Sequence, residues 1–128
     1  MKLTDIGLRL GIAAAVAISG VSHAYLYVHG YRHIPNIGPS LLFQASVSCA
    51  VAVLLVVGGP GWLRLVAAAL AGGSLVAFAL SRTVGVLGFT EHGWEPSPHA
   101  AIDAVAEVLV VVLCAVWLLM NRRAAVAR

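Results

Sequence analysis

The chain has 128 residues, 61% of them hydrophobic and only 10% charged, and its mean hydropathy is +0.97. Soluble domains carry about 45–50% apolar residues, so this composition excludes a soluble fold and predicts a multi-pass protein of the cell membrane, in contact with lipid. The net charge of +3 and pI near 9.3 do not indicate nucleic-acid binding, because the basic residues stand singly at the ends of apolar runs and form no patch.

A helix crossing the hydrocarbon core needs about 20 apolar residues. Four runs meet that requirement, at about 6–28, 41–57, 62–87 and 99–120. They consume nearly the whole chain, so the expectation is one all-α domain over 1–128, an integral membrane four-helix bundle. In the first run Gly7, Gly11, Ala15, Ser19, His23 and Tyr27 recur four apart, a track of small side chains that lets a neighbouring backbone approach closely and ends in two polar rings. Lys2, Arg9 and Ser22-His23-Ala24 also resemble a signal peptide with its cleavage site, but the apolar stretch continues past that site, which favours a retained span.

The connection 29–40 holds Pro35, Pro39, Gly30 and Gly38 beside Tyr31, the pattern of an ordered interfacial loop. The second run carries Gln44 one turn inside and stops at Gly58-Gly59-Pro60-Gly61, a helix terminator. Trp62 and Arg64 anchor the third run at the interface, and Ala68, Ala69, Gly72, Gly73 and Ser74 give it a second close-contact face before Arg82. After the loop 88–97, Ser97 is suited to N-cap the fourth run with Pro98 in the first helical position. That run opens with His99, Asp103 and Glu107, four apart and therefore one polar stripe on a helix. Ionisable side chains persist in a membrane span only where they face protein, water or a counter-charge, which makes this stripe the place to look for function.

Lys2, Arg9, Arg64, Arg122, Arg123 and Arg128 fall on one side of the predicted membrane, against Arg32 and Arg82 toward the other. The positive-inside rule then places both termini in the cytoplasm. At 1.5 Å per residue, His23, Gln44, Arg82 and Asp103 each lie about 6–8 Å inside the outer end of their helices, with Glu107 about a turn deeper. Four helices thus contribute one polar layer. Since an arginine at that depth needs a partner, Arg82 is expected to pair with a carboxylate, Asp103 by depth, and to cost far more to remove than interfacial Arg64. Glu107 is left facing His23.

Such a layer admits several readings. It is a structural staple, or an outward-opening pocket in which His23, His99, Asp103 and Glu107 bind a small ligand or metal. It is a docking element for a membrane partner or a second copy, or a membrane-embedded enzyme applying a His/carboxylate cluster to a lipid or small apolar substrate, or a transport site. Cys49 and Cys114 have no CxxC spacing and differ in depth by about 10 Å, so they read as small apolar fillers. A haem between His23 and His99 requires a wider bundle than four short spans give. The small multidrug-resistance exporters also have four spans, but carry their coupling acid in the first, which here has none after Asp5.

The segments Tyr31-Arg32-His33-Ile34-Pro35-Asn36-Ile37-Gly38-Pro39, followed by Gln44, and Ser81-Arg82-Thr83-Val84-Gly85-Val86-Leu87-Gly88-Phe89, followed by an acid in the last run, resemble a group of uncharacterised four-span proteins of high-GC actinobacteria. The likeness implies a four-helix membrane protein with the loop and Arg82 as its distinctive parts. That group has no assigned activity, and His99 and Asp103 have no counterpart in the likeness.

Overall fold

A computed structural model describes residues 2–128. Its helices are α1 (Leu3–Val28), α2 (Ile37–Val56), α3 (Trp62–Ser81) and α4 (His99–Val126), with a 3-10 turn at Tyr31–His33. All four are long and apolar enough to cross a membrane. At 1.5 Å per residue the shortest, of 20 residues, is about 30 Å long, the thickness of a hydrocarbon core.

The bundle is apolar outside and small-residue inside. Val21, Phe43, Val53, Val76 and Val105 are each at least 60% exposed, whereas Ala13, Ala15, Ser19, Ser48, Ala67 and Ala71 are buried. Water-soluble proteins seldom expose so much contiguous apolar surface. Small side chains bring the backbones together: a Cβ on Gly20 of α1 would sit 3.0 Å from Cys49 Sγ and 3.1 Å from Ser48 Cβ of α2. α1 packs along α2 and α4, and α4 against α3, while α2 and α3 meet only sparingly.

The tight core occupies one end of this arrangement. Ile12 and Val16 of α1, Val51 and Leu55 of α2, Leu63 and Ala67 of α3, and Val110 and Cys114 of α4 form one buried cluster. At that end Arg64 is only 5% exposed. Its Nη1 and Nη2 donate to Asp5 Oδ1 and Oδ2 at 2.6 and 3.1 Å, and its guanidinium lies 4.8 Å from the centre of the Trp117 ring. Arg64 is therefore deeply buried and ion-paired, the reverse of the interfacial role expected from its neighbour Trp62.

At the other end the helices open. α2 starts at Ile37, earlier than expected, because Pro39 sits in the first turn, where no backbone N–H is needed. The chain enters this helix through Asn36 at φ +65°. Gly38 is obligatory there, since a Cβ would come within 2.5 Å of Arg32 O. α3 stops at Ser81, six residues short of the expected 87. Gly85, at φ +90°, closes it by donating to Leu80 O at 2.7 Å, and Leu87 and Gly88, both at positive φ, make a tight hairpin turn between Val86 and Phe89. α4 begins at His99, one residue after Pro98. Ser97 does not cap it; the Pro96 and Pro98 carbonyls accept from Ala100 and Ile102 instead.

Candidate functional site

α1 and α4 lie side by side, so the four-residue spacing of Ser19 and His23 on one meets the four-residue spacing of Asp103 and Glu107 on the other. His23, Asp103 and Glu107 are all buried, and their ligand-competent atoms lie within 4.8 Å of one another. His23 Nδ1 donates to Ser19 O at 2.8 Å; a carbonyl can only accept, so this ring atom carries a proton. Nε2 then faces Glu107 Oε1 at 3.8 Å and Ser74 Oγ of α3 at 3.4 Å. Ser19 Oγ donates to Glu107 Oε1 at 3.2 Å and lies 3.3 Å from His23 Nδ1. Asp103 Oδ1 is 3.5 Å from His23 Nδ1, beyond useful hydrogen bonding, and no donor reaches it.

Above this cluster lies a cavity of about 250 Å³, wedged where α2 and α3 diverge. His23, Asp103 and Glu107 form its floor; Leu41 and Gln44 of α2 and Gly73 and Ala77 of α3 line its sides. Gly73 leaves it room, for a Cβ there meets nothing within 4 Å. Tyr31, Phe89, Glu91 and Arg82 surround the loop end. Tyr31 Oη donates to Glu91 Oε2 at 3.0 Å, tying the first connection to the last. Burial, reinforced by that carboxylate, pushes the Tyr31 phenol up to about 12.

Two sequence expectations change here. Arg82 is not the partner of Asp103. It caps α3, donates through Nε to Gly93 O at 3.1 Å, through Nη1 to Ser81 Oγ at 2.5 Å and through Nη2 to Glu95 O, and lies over the Phe78 ring at 4.0 Å. The helix ends before it, so the guanidinium turns outward to hold the loop carbonyls together. His99 also stands apart from the cluster, stacked on Tyr25 with ring centres 4.1 Å apart and with Nδ1 3.3 Å from Ser22 Oγ. Being at the first position of α4, it lies a full turn above Asp103. Gln44 does reach the cavity wall, where its side chain donates to Leu70 O of α3 at 3.2 Å.

Ser19 and Ser74 belong to the site although the sequence marks them only as small residues of contact faces. The signal was available for Ser19, since it precedes His23 by four; nothing local separates Ser74 from its glycine neighbours. Asp5 is likewise legible only as an early helical acid until Arg64 is brought against it.

The arrangement gathers two carboxylates and an imidazole at the bottom of a largely apolar cavity with no arginine or lysine among its floor residues. It can hold a cation, accept hydrogen bonds from a small ligand, or exchange a proton with one. Compared with known proteins, the chain matches no family model, no curated protein and no solved structure.

Proposed function

We propose that the chain is a multi-pass protein of the cell membrane, both termini cytoplasmic, that admits a small ligand or metal ion from the outer face to the His23–Asp103–Glu107 floor. The observation that carries this reading is the cavity of about 250 Å³ that reaches the carboxylates. An element serving only to dock a partner or staple helices has no use for a void at its most polar point, where packed side chains stabilise better. Apolar residues facing outward along every helix support the membrane reading. The distribution of arginines supports the orientation.

The runner-up is an intramembrane enzyme working on a lipid or small apolar substrate. What favours it is that Arg82 does not neutralise either acid, leaving them free to act as acid or base on whatever enters.

Cysteine accessibility tests the pocket. In a Cys49→Ala background, with buried Cys114 retained, Gly73→Cys places a thiol on the cavity wall without displacing a neighbour. A water-soluble thiosulfonate added outside should modify it, and should leave Gly72→Cys, which does not line the cavity, unmodified. An inert thiol at position 73 would remove the pocket reading and return the cluster to a staple.

A further inference from the structure

We propose that His23, Asp103 and Glu107 form a mononuclear centre for a divalent transition-metal ion of the zinc or manganese class, with its remaining coordination open to the cavity. This deepens the ligand-pocket reading and rests on it for access.

The cluster is short of donors and of positive charge. His23 spends its Nδ1 proton on Ser19 O, so the neutral ring presents Nε2 as a lone pair, 3.8 Å from a carboxylate oxygen of Glu107. Two acceptors face each other across that gap. Asp103 is only 7% exposed and lines the cavity floor, yet its Oδ1 receives no hydrogen bond. The donors nearby are serine hydroxyls with one proton each: Ser19 to Glu107, Ser74 between Nε2 and Glu107, and Ser22 between Asp103 and His99. The nearest arginines are committed elsewhere, Arg64 of α3 to Asp5 at the far end and Arg82, just past the end of α3, to the loop. A buried oxygen without a donor is rare in a folded protein and signals a missing partner, and a cation is the partner that also supplies the positive charge the two acids lack.

The chemistry and spacing of the three groups choose a metal. One imidazole nitrogen and two carboxylates suit zinc, manganese or iron(II). Metal–ligand bonds of about 2.0–2.2 Å let one ion join atoms up to about 4 Å apart, which covers the 3.8 Å between Nε2 and Glu107 Oε1; Asp103, in a cluster whose ligand atoms lie within 4.8 Å of one another, completes the set by a side-chain adjustment of less than about 1 Å. The supporting contacts are those of a metal-binding histidine, whose other nitrogen donates to a backbone carbonyl and so fixes ring orientation and tautomer. The Ser19 hydroxyl likewise orients Glu107. Two ligands come from α4 one turn apart and one from α1, a placement that helix bundles use for metal sites in their cores. Three protein ligands under a cavity leave a position for water or substrate.

The full chain, carrying no histidine tag, is purified in detergent, stripped with a chelator and reloaded with Zn²⁺, Mn²⁺ or Co²⁺. The expected result is one ion per chain, with Asp103→Asn and Glu107→Gln each binding at least about tenfold more weakly and His92→Ala and His99→Ala binding as the parent does. His23→Cys loaded with Co²⁺ should gain a thiolate-to-metal charge-transfer band that the parent lacks. This is a gain of signal that unfolding cannot imitate when the circular dichroism melt is retained. A stripped parent that takes up no metal, or a folded Glu107→Gln with parental affinity and no new band in His23→Cys, overturns the proposal. A reactive thiol at Gly73→Cys without metal uptake leaves the pocket reading standing alone. Metal uptake with an inert thiol at that position removes the pocket reading and keeps the centre.

Discussion

Replacing Arg64 tests the inverted roles of Arg64 at the start of α3 and Arg82 just past its end. Arg64→Ala strips both hydrogen bonds from Asp5 at the packed end of the bundle, where Arg64 is 5% exposed. Breaking a buried pair by removing one partner costs about 3–5 kcal/mol. Asp5, whose side chain is 30% exposed, recovers part of that by hydration. Loss of the stacked Trp117 contact adds about 0.5–1 kcal/mol, which brings the expected total to about 2–4 kcal/mol. For a chain of this length that is roughly a 10 °C fall in melting temperature. Arg82→Ala removes hydrogen bonds to two loop carbonyls of exposed residues and to Ser81 Oγ, with the Phe78 ring contact, but leaves no carboxylate without its partner, and should shift the midpoint by less. Thermal unfolding in one detergent, followed by circular dichroism, gives both values. A second comparison isolates the ion pair: Asp5→Asn with Arg64→Met should be less destabilised than Arg64→Met alone, because no carboxylate is left without its partner. Equal shifts for Arg64→Ala and Arg82→Ala, or a larger one for Arg82→Ala, would refute the assignment of the buried pair to Asp5 and Arg64.

Other consequences are equally open to measurement. Gly20→Val should push α1 off α2, since even its Cβ meets Cys49 Sγ at 3.0 Å, and should cost about 1–3 kcal/mol, where Gly7→Ala, with nothing within 4 Å, should be nearly neutral. Tyr31, with its phenol raised to about 12, should give an absorbance titration a component near that value that is missing from Tyr31→Phe. Its contribution to stability is full below the ordinary tyrosine value of about 10 and is lost as pH rises through about 12; a Tyr31 component near 10 would mean that the phenol is neither buried between the two connections nor held against Glu91. For orientation, Ser97→Cys should label from outside intact cells and Ala127→Cys only after permeabilisation, both in the Cys49→Ala background. The opposite pattern would reverse which face the cavity opens to.

Composition and hydrophobic run length were enough to determine four helices and their order, because the need to satisfy every backbone group in an apolar medium leaves a chain this hydrophobic little choice but long helices. The periodicity of four in Ser19–His23 and in His99–Asp103–Glu107 made two polar stripes legible as well, since helical geometry fixes which side chains share a face. Neighbour relations across helices were not. Depth along a helix axis suggested Arg82 for Asp103, but Gly85 ends α3 before Arg82 and turns that side chain toward the loop carbonyls. Arg64 carried the interfacial signature of a residue beside Trp62, yet α1 brings Asp5 across its end and buries it. His99 shares a stripe with Asp103 and Glu107 but stacks on Tyr25, because α1 offers an aromatic at that height and His23 two residues below. Ser74 became part of the site only when α3 was set against the cluster, and the cavity exists only because α2 and α3 diverge. Local sequence fixes what each helix presents and at what height. Which faces meet is decided by the packing of all four helices at once, and no single stretch of chain encodes it.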